Sequence, residues 1–143
     1  MMRILGIDPG ASTGLALLSD GRILCLHTIE PRDIALAIRD HNPWRVIFED
    51  SRLQTHAWNA RSKSTFGAAL ATARSLGQVD AWCGLICAVC GELSIPAIGI
   101  SPAGKGAKLD AETFSRVTGW DGRSNAHERD AAMVAWRFRN AKE

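Results

Sequence analysis

No apolar run in this 143-residue chain is both long enough and free enough of charge to span a bilayer, which sets aside a membrane-spanning role. The opening Met1-Met2-Arg3-Ile4-Leu5 runs directly into a strand pattern and lacks the apolar region of a signal peptide, so a cytoplasmic protein is expected. Linkers, repeats and low-complexity stretches are missing too, and the length suits one domain, residues 1–143, with a self-sufficient core. A strong overall charge is also absent. The formal net charge is only +2, so affinity for a polyanion has to come from local clustering. Such a cluster sits where acids are lacking: between Ser51 and Val79 there is no Asp or Glu, while Arg52, Arg61, Lys63 and Arg74 supply positive charge around Trp58 and Phe66. Cations interleaved with rings suit a nucleic-acid surface, and Arg52, Trp58, Arg61 and Lys63 are the candidate contacts.

The chain has four cysteines. Cys83, Cys87 and Cys90 follow i, i+4, i+7 spacing along one side of a helix and have no partner pair nearby. A structural zinc site wants four ligands, two of them commonly on a turn, so these read as small core residues.

What is present reads as alternating elements. Residues 3–8 form a short apolar run closed by Pro9-Gly10, the pattern of a buried strand and tight turn. Residues 14–18 and 22–28 flank Ser19-Asp20-Gly21, whose Asp-Gly step signals a hairpin. Ile34, Ala35 and Ile38 repeat at helical spacing between Pro31 and Asn42-Pro43. Residues 44–49 predict a fourth strand, 65–93 a long helix, 97–100 a fifth strand, 110–118 a short helix, and 126 to the end a last one. Three meander strands followed by alternating helices and strands predict an α/β fold, one mixed sheet with helices on its faces.

The long helix carries two stripes. Val79, Trp82, Ile86, Val89 and Leu93 are bulky; Gly77, Ala81, Gly84 and Ala88, roughly opposite, are small. A helix apolar on two faces is expected to be buried on both, one against the sheet and the other against a second helix. That helix belongs to this chain or to a second subunit; two-fold dimers being the commonest assembly, a homodimer is expected.

Three acidic positions point to chemistry. Asp8 ends the first strand, where packing does not favour a carboxylate; its ordinary role would be to cap the turn over residues 9–13. Glu49 and Asp50 end the fourth strand, and alternation puts them on opposite faces, so one of the two can join Asp8. Spacing does not choose between them. In Asn125-Ala-His-Glu-Arg-Asp130, His127 and Asp130 share a helical face, while Asn125 and Glu128 have capping-box spacing. If Asp8, one of the two strand-end acids and Asp130 converge, their mutual repulsion is relieved by hard divalent cations such as Mg²⁺, which also bind substrate phosphates. Phosphodiester hydrolysis is the chemistry such a site suggests. The segment from Gly99 to Lys105 matches GxxxxGK, but Gly106 stands where a phosphate-binding loop needs Ser or Thr, so no nucleotide cofactor is expected. Lys105 and Lys108 read instead as phosphate contacts.

Together these residues resemble the RuvC family of Holliday-junction resolvases, which have the ribonuclease H-like fold. Ile4-Leu-Gly-Ile-Asp8-Pro-Gly-Ala-Ser-Thr-Gly14 looks like its opening strand and turn, Val46-Ile-Phe-Glu49 like its second acidic strand, Leu76-Gly-Gln78 like its signature in the long helix, and His127-x-x-Asp130-Ala131 like its C-terminal metal-binding element. The resemblance spans nearly the whole chain, and Ser101-Pro-x-Gly-Lys-Gly-x-Lys108 looks closer to the phage-type branch. It implies a five-stranded mixed sheet, Glu49 rather than Asp50, and Asp8, Glu49, His127 and Asp130 as metal-site residues for Mg²⁺ or Mn²⁺, two ions per site. It also implies catalytic or DNA-holding roles for Lys105 and Lys108, a homodimer packed through helices, paired nicks across a four-way DNA junction, and a bacterial or phage-infected host cytoplasm. The family's stacking aromatic after the second acid has no counterpart within residues 50–55, and Trp58 is the nearest substitute. Rival readings are an ATP-handling fold of the actin and sugar-kinase type, which needs two such domains; a non-enzymatic junction-binding protein; and a ribonuclease H-like nuclease acting on other substrates.

Overall fold

In the computed structural model, which describes residues 2–54, 65–104 and 106–142, the first apolar run is strand β1, Arg3–Asp8. It leads through the Pro9-Gly10 turn into β2, Thr13–Ser19. Asp20 and Gly21 both take left-handed backbone angles, φ 54° and 77°, the two-residue turn whose twist suits a hairpin. The chain then returns as β3, Arg22–Ile29. A 3₁₀ turn at Pro31–Asp33 opens α1, Ile34–His41, and Asn42 closes that helix in a left-handed conformation at φ 42°. Next come β4, Arg45–Glu49, a 3₁₀ turn at Ser51–Leu53, and α2, Phe66–Glu92, which Thr65 caps by accepting from the Ala68 N–H. After β5, Ala97–Ile100, the chain forms α3, Ala111–Thr118, and α4, Ala126–Trp136.

The strands lie in the order β3-β2-β1-β4-β5. β1, β2 and β3 pair antiparallel, whereas β4 runs parallel to both β1 and β5. Alternation gives the sheet two apolar faces. On one, Leu5, Ile7, Leu15, Leu17, Val46 and Phe48 pack with Ile34 and Ile38 of α1 and with Cys83, Ile86, Val89 and Cys90 of α2. On the other, Ile4, Ala16, Leu18 and Ile47 pack with Phe114 of α3 and with Ala131, Ala132, Val134 and Ala135 of α4.

The second face is the more closely packed. A Cβ at Gly6 would collide with the Ala131 carbonyl oxygen, and one at Gly14 with the His127 carbonyl oxygen. Only glycine lets α4 lie this near the strands. The close approach fixes the path of α4: its first turn crosses the Asp8 end of β1, and its last turn lies over the other end of the strand.

One expectation is met in part and one needs correction. On the bulky side of α2, Ile86 and Val89 are buried, Val79 and Trp82 half-buried and Leu93 exposed; on the other side Gly77, Ala81 and Ala88 are exposed, Gly84 is half-buried, and a Cβ at Gly77 or Gly84 would meet nothing within 4 Å. Among the described residues, α1 and the sheet both lie on the bulky face of α2, and a second cover, from this chain or a second subunit, is not among them. The last helix stops at Trp136 rather than running to the end. There the bonds tighten to i→i−3, from Phe138 to Ala135 and from Arg139 to Trp136, a common ending that lets Trp136 and Phe138 both reach the core. Among the described residues no helix is long and apolar enough to cross a membrane.

Candidate active site

The position of Asp8 follows from strand pairing. Ile7 is in register with Phe48, so Asp8 and Glu49 are the next pair along two adjacent parallel strands. Strands in a sheet lie about 4.8 Å apart, and side chains at matched positions share a face. That face is the one α4 covers, since Asp8 alternates with Ile4 and Gly6 and Glu49 with Ile47. Both carboxylates are half-buried at the strand ends. The turn after Asp8 is closed by Thr13, whose buried Oγ1 donates to the Gly10 carbonyl at 2.7 Å.

α4 brings the third acid. Asn125 caps this helix by accepting from the Glu128 N–H at 2.9 Å, while Glu128 Oε1 accepts from the Asn125 N–H at 3.0 Å, the reciprocal box expected from the spacing. Thr28 of β3 braces the box, since Asn125 Nδ2 donates to its Oγ1 at 2.7 Å and its Oγ1 donates to Glu128 Oε2 at 3.1 Å. With its start pinned and its backbone seated on Gly14, the register partner of Asp8, α4 carries exposed His127 and half-buried Asp130 to the same end of the sheet. Lys108 lies within 3.7 Å of Asp130 Oδ2, in a shallow crease that Gly106, Ala107 and Met133 also line.

Asp50 goes the other way. Its side chain is 7% exposed and receives a fork from Arg52, Nε to Oδ1 at 2.9 Å and Nη2 to Oδ2 at 2.8 Å. Those hydrogen bonds hold its carboxyl below the usual carboxylate range against the opposing effect of burial. The carboxylate also packs against Gly99, where a Cβ would meet it at 2.8 Å. Arg52, counted among the nucleic-acid contacts, is thus committed to Asp50, and its Nη2 also reaches Cys87 Sγ at 3.4 Å. Of the other basic and aromatic candidates, Trp58, Arg61, Lys63 and Lys105 lie outside the described residues.

Two contributors escaped the sequence reading. Arg129, between His127 and Asp130, donates from Nε to the Leu109 carbonyl at 2.9 Å and from Nη1 to Ser124 O at 2.9 Å and Oγ at 3.1 Å. It thereby ties the strand of chain bearing Lys108 to the start of α4; its place inside the acidic motif was the available signal. Ser51, directly after the acidic pair, donates to Asp80 Oδ1 of α2 at 2.7 Å, which fastens the exit of β4. No local pattern links residues that far apart in sequence.

Among the described residues, no three His, Cys, Asp or Glu side chains are gathered tightly enough to hold a metal ion. The cysteines are no substitute donors, since burial raises the Cys83 thiol and pushes that of Cys90 up to about 11. Asp8, Glu49 and Asp130 do suit a hard divalent cation in chemistry, as carboxylate oxygens at one end of one face with the His127 imidazole nearby. Without a cation such carboxylates repel one another, which opposes their gathering. A concavity of about 810 Å³, lined by Arg3, His41, Trp44 and Pro96 among others, lies at the opposite end of the strands.

A mixed five-stranded sheet with helices on both faces, in this order and pairing, is the ribonuclease H-like fold. The solved structure of T. thermophilus RuvC in complex with a Holliday junction substrate superimposes on it with a TM-score of 0.62 at 16% sequence identity, covering 95% of this chain and 91% of that one. The fold is therefore RuvC-like. No protein-family model matches the sequence, and no curated protein does either.

Proposed function

We propose that this chain, as one domain, is a metal-dependent endonuclease that cuts four-way DNA junctions, or closely related branched DNA, by phosphodiester hydrolysis. The observation that carries the proposal is the row formed by Asp8 and Glu49 on neighbouring parallel strands, with Asp130 and His127 delivered to the same face by α4. The junction-bound RuvC structure of the same fold supports the choice of substrate.

In this reading Asp8, Glu49 and Asp130 hold Mg²⁺ or Mn²⁺, two ions per site, through carboxylate oxygens, and His127 serves as ligand or base. Bound there, the ions would supply activation of a water and charge neutralisation at the leaving oxygen. Lys108, with Lys105, offers an ammonium to the scissile phosphate, and Arg129 keeps that part of the chain against α4. Arg61, Lys63 and Trp58 extend the contact to the junction arms, Trp58 replacing the stacking aromatic, and Arg52 joins them only through the part of its side chain not engaged with Asp50. The uncovered small-residue side of α2 supports a two-fold homodimer, which offers two sites to a two-fold junction. The Ser101–Lys108 sequence pattern supports the phage-type branch, and with it a bacterial or infected-host cytoplasm.

The deciding experiment incubates the protein with a four-way junction, a linear duplex and an RNA–DNA hybrid, with Mg²⁺, Mn²⁺ or EDTA. Paired symmetric nicks in the junction are expected, dependent on metal and lost in Asp8→Asn. Equal cleavage of all three substrates would reduce the reading to a general nuclease. Junction binding without cleavage in either metal would replace it with an architectural role.

A further inference from the structure

The end of the sheet farthest from the carboxylates carries the other sign of charge. α4 finishes there, and the residues after it read Trp136-Arg-Phe-Arg-Asn-Ala-Lys142, cations interleaved with rings. The tightened turns set these side chains in order. Arg139 lies over the Trp136 ring, its Cζ 4.3 Å from the ring centre, and donates from Nη1 to the Trp136 carbonyl at 2.9 Å, while Arg137 Cζ sits 5.1 Å from the Phe138 ring centre. Both rings pack on the core, so the arginines stand on a fixed base. Arg139, Asn140, Ala141 and Lys142 line a groove of about 350 Å³ with Met2, Ile4 and the Asp20-Gly21 turn. Beside it, register places Arg3 and Arg22 on either side of Ser19. Among the described residues, none of Arg3, Arg22, Arg137, Arg139 and Lys142 makes an ion pair, whereas Arg32, Arg39, Arg52 and Lys108 do. Asp20 is the one acid among the described residues that line the groove.

Unpaired like charges held close together repel, and a polyanion relieves that repulsion. A guanidinium stacked on an aromatic ring keeps in-plane N–H donors for phosphate oxygens and has already lost much of its rotational freedom. We infer that this pole is a second DNA contact, which grips the phosphate backbone of a duplex arm without reading sequence. The inference shares with the proposed function only the premise that the chain binds DNA, and it requires no cleavage.

The test measures binding of the full chain to a plain duplex and to a four-way junction across a salt series, for wild type and Arg137→Gln/Arg139→Gln/Lys142→Gln. Each lost phosphate contact lowers the slope of log K against log salt by about 0.9, so three contacts remove about 2.7. Affinity for both DNAs is expected to fall at least about tenfold at low salt, while nicking at saturating protein stays unchanged. The exposed single change Lys142→Glu, which leaves the stacked pair alone, is expected to move the slope the same way and so guards against a folding artefact in the triple variant. Arg139→Lys, with its charge retained, should stay near the wild-type slope. Unaltered slopes in both the triple variant and Lys142→Glu would overturn the inference, even with junction cleavage intact. Lowered slopes in a protein that never cuts DNA would sustain it while sinking the nuclease reading. Loss of binding to an acidic protein in place of DNA would also overturn it.

Discussion

The two faces of the sheet are covered in different ways. Against one face, α1 and α2 lay large aliphatic side chains over Leu5, Ile7, Val46 and Phe48, a separation set by bulk. Against the other, α4 lays alanines and bare backbone over Gly6 and Gly14. The bulky interface tolerates adjustment, because side chains can repack. The close one cannot, because backbone meets backbone. Its narrowness suits delivery of side chains from a helix to the ends of strands, and α4 brings Asp130 and His127 to the end of the sheet where Asp8 and Glu49 stand. The same contrast divides two neighbouring acids: Glu49 lies on the face that α4 covers, while Asp50 is on the other and is engaged by Arg52.

The sharpest way to break this contrast is to fill the close interface. Gly6→Val is expected to cost about 3 kcal/mol or more, because the new side chain meets the Ala131 carbonyl and neither backbone can yield. An Ile7→Val change on the bulky face should cost about 1 kcal/mol. Urea denaturation of the two variants compares the faces directly, and equal losses would mean that α4 is free to shift.

The acid pair comes next. Asp50→Asn should lower stability by about 1–3 kcal/mol, since it weakens a fork to a guanidinium whose side chain is 40% exposed. Glu49→Gln should leave thermal stability nearly unchanged and abolish metal-dependent nicking. Matching losses of activity without loss of stability in both would show that the face assignment does not govern function. The Asp50 contribution has a defined pH signature. Its folded carboxyl titrates below the unfolded value of about 4, so the stabilisation is fully present above that pH and fades as the pH falls through the lower, folded value. The stability gap between wild type and Asp50→Asn is expected to hold from neutrality to about pH 4 and to close below it, as followed by denaturant titration at each pH.

A smaller effect is expected at the helix start. Asn125→Ala removes the cap and its link to Thr28, and should cost about 1 kcal/mol while loosening the end of α4 that carries His127. Amide hydrogen exchange over residues 126–130 would register that loosening. The least change in protomer stability is expected from Gly84→Leu on the uncovered side of α2, where a side chain finds open space. If the proposed homodimer packs through this side, the variant loses it: the melting temperature is expected to rise with concentration in the wild type and not in Gly84→Leu.

Much of this was legible in advance wherever the cause is local. Strand ends at Asp8 and Glu49, the Asp20-Gly21 hairpin, the Asn125–Glu128 box and the i, i+4, i+7 cysteines each depend on neighbours within one or two turns. The α2 boundaries agree to within a residue because Thr65 caps the helix through its own side chain. The commitments of single cations were not legible. Arg52 read as a nucleic-acid contact because no acid follows it for many residues, yet its partner Asp50 stands two positions before it, turned inward by strand alternation. Likewise the basic run after Trp136 carries no meaning until the end of α4 is set beside the Asp20-Gly21 turn.

By itself the sequence determined the elements, the two-faced sheet they imply and which carboxylates sit at strand ends, because periodicity, turn chemistry and capping act over a few residues. Tertiary structure alone decided which of those carboxylates share a face, how near α4 comes to them and which cations remain unpaired. These depend on strand order and on two glycines that admit a helix backbone, and a chain read one residue after another holds no distance between segments until they pack.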